Sequence, residues 1–385
     1  MIIISVLEIN LLSLAKNMHY YKNKLKYNQK FCFVVKSNCY GLGDEICRYF
    51  NDFVDYFAVS SWYEFSEIKN KISKPVLILD PIYDSIDLKK LIKNKCELTI
   101  SNLYSFELIS KISKQFNMDI SVHIAINSGM NRFGFKDINE VEKVIDDIKK
   151  SQNIKIKGIF SHYFDAKNDY FAKYQIKQLK YYMSLFEGKF EKYPMVHMVA
   201  SDGLLYNNFG DLARVGYGIY SDNKDNQTIT LKTKILEIQN LNNGDSAGYS
   251  SCYIADKNCK IAVIGIGYGD GIMRSIVNDG YVIINGEYSK ILAICMDSMI
   301  VDINDINCKI NDDSVIIGKM GNVSISICDI ANWCGTIGYE VITRISQRVR
   351  RIYKGKDKCR LFLEGSEQEN LSLSIVVEQD QPLQG

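Results

Sequence analysis

Lysine 36 stands where an apolar run stops, in the stretch FCFVVKSNCYGLG from Phe31 to Gly43. Five apolar residues before it have the length and β-branched or aromatic content of a strand buried on both faces. The side chain is thereby placed at the strand's carboxyl end, the end at which parallel α/β folds carry their chemistry. A lysine beside apolar packing loses hydration, which favours the neutral amine that condenses with an aldehyde. Gly41 and Gly43 let backbone N–H groups approach a phosphate, and Tyr40 can donate its hydroxyl to one. Four other residues share this position at the ends of apolar runs. Within GIFSHYFDA His162 ends the sixth run, within HMVASDGLL Ser201 closes the seventh, Arg214 lies in DLARVGYGIY, and Arg132 follows a glycine turn in NSGMNRFGF. Each alone has a plain structural explanation; together they gather on one rim. An arginine amid apolar residues also needs an anionic or acceptor partner.

The elements that would position them form a repeating pattern. Apolar runs fall at Phe31–Val35, Tyr56–Ser60, Pro75–Leu79, Leu98–Ile100, Ile120–Ile126, Ile156–His162, Met195–Ser201 and Leu212–Tyr220. Polar stretches with helical periodicity separate most of them, such as Asn102–Phe116, Asn139–Lys150 and Asp169–Phe186. Alternating strands and helices imply right-handed βαβ units, and eight of them imply a closed (β/α)8 TIM-type barrel over residues 8–225. An open doubly wound sheet would need an early glycine-rich crossover, which is absent. VIGIGYGDG (Val263–Gly271) does not keep GxGxxG spacing from either starting glycine, so a dinucleotide site is set aside. Beyond residue 225 short β runs and turns at Asn242-Asn243-Gly244, Asn285-Gly286 and Asp312-Asp313 predict a mostly antiparallel β domain over residues 226–363. Residues 1–7, with a strand at Ile2–Val6, are expected to join it. The polar segment 364–385 reads as a loose tail.

Composition removes other classes. The 385 residues are 46% hydrophobic and 24% charged, with a net charge of +2, so no field draws the chain to nucleic acid or an acidic membrane. The eleven cysteines lack CxxC pairs and the four histidines lack metal-ligand spacing, which argues against a zinc site and fits a reducing cytoplasm. The N-terminus has no basic n-region before its apolar residues. No stretch reaches the ~20 apolar residues of a membrane span.

VVKSNCYGLG resembles the pyridoxal-phosphate attachment motif of the alanine racemase family, with leucine at position 42 where the family has histidine. INSGMNRFGF, GIFSHYFDA, HMVASDGLL and ARVGYGIYS are similar to four later barrel motifs. AGYSSCY, IGIGYGDGIMR, ICMDSMIVDI and CGTIGYEVITRISQRVRRIY match the family's β-domain motifs in order. The resemblance covers residues 5 to 355. It implies a pyridoxal 5′-phosphate enzyme that racemises alanine by a two-base mechanism and supplies D-alanine for cell-wall peptidoglycan. Lys36 matches the lysine that carries the cofactor. Tyr40, Ser201, Gly216, Tyr217 and Tyr339 match phosphate-binding positions, and Arg214 matches the arginine facing the pyridine nitrogen. Tyr249 matches the second base, supplied by the partner subunit of a homodimer and linked through His162 to Arg214. Arg132 and the backbone of Met296 match groups that bind the substrate carboxylate. Tyr268 and Tyr339 match residues that narrow the entrance.

Three departures accompany these matches. Ala125 replaces a lysine, often carbamylated, that orients the arginine matching Arg132; Arg132 then needs another partner, a bound anion or a nearby side chain. Asn127 replaces an aspartate and Ala200 an asparagine. A serine or broad small-amino-acid racemase is the alternative, since size exclusion separates alanine from serine weakly. A non-catalytic pyridoxal-phosphate carrier would lack the β domain and its Tyr249. A related decarboxylase would carry glutamate where Arg214 stands.

Overall fold

The computed structural model describes residues 5–221 and 226–365. It divides into two compact units: one of Asn17–Cys39 and Asp44–Ile219, the other of residues up to Lys16, Tyr40–Gly43, and residues from Tyr220 onward. The first strand, β1, is Val6–Asn10, four residues later than the expected Ile2–Val6, and residues 1–4 lie outside the described chain. The expected tail is likewise outside it from residue 366 onward.

Eight strands build the first unit: β2 (Lys30–Val34), β3 (Tyr56–Val59), β4 (Val76–Ile78), β5 (Glu97–Ile100), β6 (Ile120–Ala125), β7 (Ile154–Phe160), β8 (Met195–His197) and β9 (Leu212–Val215). Their order is β8-β7-β6-β5-β4-β3-β2-β9, and every paired neighbour is parallel. The two ends of this sheet meet: the Asp211 N–H donates to the Val196 carbonyl at 2.6 Å and the Arg214 N–H to Val199 at 3.0 Å. The result is a closed barrel, as the strand count predicts. Strand β2 is buried on both faces from Phe31 to Val34, which explains its unbroken apolar run.

The covering helices follow from their own sequences. In the helix Ile138–Lys150 the residues Val141, Val144, Ile145 and Ile148 are buried, the i, i+3, i+4, i+7 stripe of one helical face. Each such side chain contributes roughly 1.5–3 kcal/mol by leaving water. Asp137 starts this helix by accepting from the Asn139 N–H, and Asn102 with Ser105 closes a capping box on the helix Leu103–Phe116. Among the described residues no helix is long and apolar enough to cross a membrane.

The second unit is built on a nine-stranded sheet, antiparallel apart from one pair. Its centre is β10 (Ile229–Leu241), thirteen residues long, which pairs with β1, Cys259–Ile264 and Asp313–Met320. The exception is β1, which runs parallel to Arg350–Lys354. The Asn285-Gly286 turn has positive φ at both residues, 50° and 85°, as an Asn-Gly hairpin requires. A small pair, Ser246–Ala247 with Tyr253–Ile254, brackets Tyr249.

Candidate active site

Lys36 follows β2 by two residues, and the chain then turns in an unexpected way. Ser37, Asn38, Cys39 and Tyr40 have φ of 53°, 54°, 51° and 54°, a left-handed turn without a glycine in it. Such residues each cost about 1–2 kcal/mol, so neighbours must hold them. Glu64 is one such neighbour: its carboxylate accepts from the Ser37 N–H at 2.8 Å and from the Ser60 N–H at 2.7 Å. The short loop expected after Lys36 holds Tyr40, Gly41 and Gly43, and its left-handed stretch begins before Gly41.

Arg214 and His162 meet near the carboxyl ends of β9 and β7. Arg214 is buried, and its Nη2 donates to the Ser161 carbonyl at 2.8 Å and lies 3.3 Å from His162 Nδ1. Burial brings the guanidinium down to about 10, so it keeps its charge at neutral pH. His162 is pushed down to about 3, first by burial and then by the charges of Arg214, Arg132 and Lys36. Three cations therefore act on one neutral imidazole. An arginine has only N–H donors, so His162 faces Arg214 with the unprotonated Nδ1. The rim suits an anionic ligand.

Ser201 opens the short helix Ser201–Tyr206, and its hydroxyl oxygen accepts from the Gly218 N–H at 3.2 Å, leaving its own hydrogen to donate. Gly216 and Tyr217 precede that amide. A side chain at Gly218 would run into the Tyr21 hydroxyl, so this segment needs its glycine. Ala200 sits at the N-cap without a side-chain cap.

Ala125 ends β6, and Asn127 and Arg132 lie in the loop that follows it. Asn127 Oδ1 accepts from the Gly129 and Asn131 N–H groups at 3.1 and 3.0 Å, so the amide shapes the turn. Ala125 is buried. Arg132 is exposed, and its guanidinium rests over the Phe133 ring at 4.9 Å.

The remaining candidates belong to the β unit. The Tyr40 ring stacks on Tyr220 with centroids 4.7 Å apart and has Tyr339 at 6.3 Å. Tyr249 is 71% exposed, on a turn where Gly248, Ser250 and Ser251 all have positive φ. Tyr268 and Met296 lie on adjoining loops: the Tyr268 N–H donates to the Cys295 carbonyl at 3.0 Å and the Gly269 N–H to that of Met296 at 2.8 Å. Arg348 clamps these loops through Asp270 at 2.8 Å and Asp297 at 2.7 Å. That clamp, Glu64, and the buried residues Glu97, His123 and His197 escape a reading of motifs. For Glu97, His123 and His197 the one signal is a charged or polar residue inside an otherwise apolar strand.

Comparison with known proteins covers the same span. The alanine racemase N-terminal domain profile matches residues 9–224 and the C-terminal domain profile residues 228–353. An alanine racemase of Clostridium kluyveri is 33% identical over 376 residues, spanning 92% of this chain and 95% of that protein. The solved alanine racemase of Clostridium difficile 630 is 30% identical, with a TM-score of 0.84 over 92% of this chain and 96% of that one. A Bartonella henselae alanine racemase solved with covalently bound pyridoxal phosphate is 21% identical, with a TM-score of 0.80 over 91% of this chain and 99% of its own. With a barrel, a β unit and both domain profiles in register, this chain belongs to the alanine racemase family and is an isomerase of that kind.

Proposed function

We propose that the chain interconverts L- and D-alanine with pyridoxal 5′-phosphate, and that it works as a homodimer in the cytoplasm to supply D-alanine for peptidoglycan. The observation that carries this reading is the buried Arg214 guanidinium 3.3 Å from His162 Nδ1, at the strand ends where Lys36 also stands.

The residues present fit the cofactor. Lys36 offers an amine for the aldehyde. Ser201 and the amides of the Gly216-Tyr217 segment offer donors for the phosphate, with Tyr40 and Tyr339 as further phosphate ligands. Arg214 offers only donors to a ring nitrogen that keeps its lone pair. When bound, pyridoxal phosphate supplies a conjugated sink for the electron pair left on Cα. Arg214 makes that sink weaker than a protonated ring would, which limits side reactions.

Racemisation requires a proton to leave one face of Cα and return on the other. Lys36 serves one face, and the partner subunit's Tyr249 serves the other. A free phenol ionises near pH ~10, so the charges gathered at Arg214 and relayed by His162 are what support its ionised form. Tyr249 stands well exposed on the single chain, which suits a residue completed by a second copy. Arg132 and the Met296 backbone hold the substrate carboxylate. Tyr40, Tyr217, Tyr268 and Tyr339, by the family resemblance, favour a methyl side chain over that of serine. All eleven cysteines are unpaired, which supports a reducing compartment.

Incubation of the cofactor-loaded protein with L-alanine or L-serine in D2O, followed by resolution of enantiomers, tests the proposal. D-alanine carrying deuterium at Cα is the expected product, formed faster than D-serine. Cofactor binding without Cα exchange would instead identify a carrier.

A further inference from the structure

The interior of this barrel holds a polar column where branched aliphatic side chains ordinarily pack. Glu97 opens β5, His123 lies within β6, His197 ends β8 and Arg214 lies in β9; their exposures are 7%, 0%, 0% and 4%. Arg214 Nη1 contacts His197 Nδ1 at 2.5 Å, His197 Nε2 contacts His123 Nδ1 at 2.8 Å, and His123 Nε2 contacts Glu97 Oε2 at 2.7 Å.

The direction of every bond follows from proton counting. A guanidinium only donates, so His197 accepts at Nδ1. A neutral His197 then carries its proton on Nε2 and donates it to His123. Two protons cannot share that contact, so His123 also keeps its proton on Nε2 and gives it to Glu97. The column thus runs from a buried cation to a buried anion through two neutral rings, all oriented alike.

We propose that Glu97 is a positioning residue for Arg214, acting through His123 and His197 by selecting the Nε2–H tautomer of both rings. Without an acceptor at position 97, His123 gains nothing by keeping its proton on Nε2. A reversed pair would aim the His197 Nδ1–H at Arg214, donor against donor, and the guanidinium would shift away. The catalytic consequence rests on the racemase reading, in which Arg214 faces the cofactor ring; the tautomer assignment does not.

Long-range 1H–15N correlation spectra of the cofactor-loaded protein labelled with [15N]histidine test it. Only four histidines contribute, so the two buried rings are assignable by substitution. Wild-type protein is expected to show both as Nε2–H tautomers. Glu97→Gln, which keeps a carbonyl acceptor, is expected to retain them and most of kcat. Glu97→Leu is expected to reverse the tautomers and lower kcat on the order of tenfold, with KM nearly unchanged. An Nδ1–H tautomer of either ring in the wild type overturns the proposal without any variant, should Glu97→Leu fail to fold. So does a loss of kcat in Glu97→Leu with both tautomers intact. The expected tautomers in a wild type that never exchanges a Cα proton leave the column standing and remove the racemase reading.

Discussion

The Arg214 guanidinium lies 3.3 Å from Nδ1 of His162, and that imidazole stays neutral because it is buried beside a permanent cation. Stability should therefore depend on pH with a definite sign. The folded state holds His162 at about 3, against an ordinary 6.5. Between these values the unfolded chain takes up a proton that the folded chain refuses. Stability is present above pH 6.5 and is lost as pH falls below it, by at most about 1.4 kcal/mol per pH unit for this group. His197 is held low in the same direction, by burial and then by Arg214 and His123. Urea midpoints recorded against pH should fall on acidification, and His162→Gln should flatten the slope.

Lys36→Ala should abolish the visible absorption of covalently held cofactor, with the fold intact by circular dichroism. The strand-end position of Lys36 motivates this, since substrate amines cannot replace a side chain anchored there. A variant that keeps the absorption after dialysis would refute the assignment.

Tyr249→Phe removes a phenol from the β unit and leaves the barrel rim untouched. Proton abstraction from L-alanine should slow by roughly 100-fold or more, and abstraction from D-alanine by much less. Single-turnover isotope exchange from each enantiomer measures the difference. Equal losses would remove the two-base scheme.

Arg348 joins Asp270 and Asp297, and so fixes the loops that carry Tyr268 and Met296. Lysine cannot span both carboxylates with one planar fork. Arg348→Lys should raise KM for alanine roughly tenfold while kcat changes about twofold. Steady-state kinetics separates the two parameters. A fall in kcat alone would show that the loops do not position substrate.

Gly41 has φ of 85°, and an added Cβ would meet the Ile342 carbonyl oxygen. Gly41→Ala should lower unfolding free energy by more than about 2 kcal/mol, through strain and steric conflict together. Urea denaturation reads this directly.

Much of the architecture was open to reading because several barrel strands are buried on both faces. Phe31–Val34 and Tyr56–Val59 are unbroken apolar runs for that reason. The pair Ser246–Ala247 and Tyr253–Ile254 was not readable, since two residues carry no period. Lys36, Ser201 and Arg214 could be found because strand ends mark the rim. His123 and Glu97 could not, because their partners lie on other strands and each reads alone as an interruption. The left-handed turn at Ser37–Tyr40 was hidden as well: Glu64, far along the chain, holds part of it.

The lone parallel pairing in the β unit has a temporal consequence. Strand β1 precedes the barrel strands but flanks Arg350–Lys354, more than 300 residues later. Neighbouring barrel strands can associate as they leave the ribosome, while β1 keeps one unsatisfied side until Arg350–Lys354 has been made. A chain stopped short of Arg350 would therefore present an open strand edge to whatever it meets, and premature termination should yield aggregates in place of a smaller working enzyme.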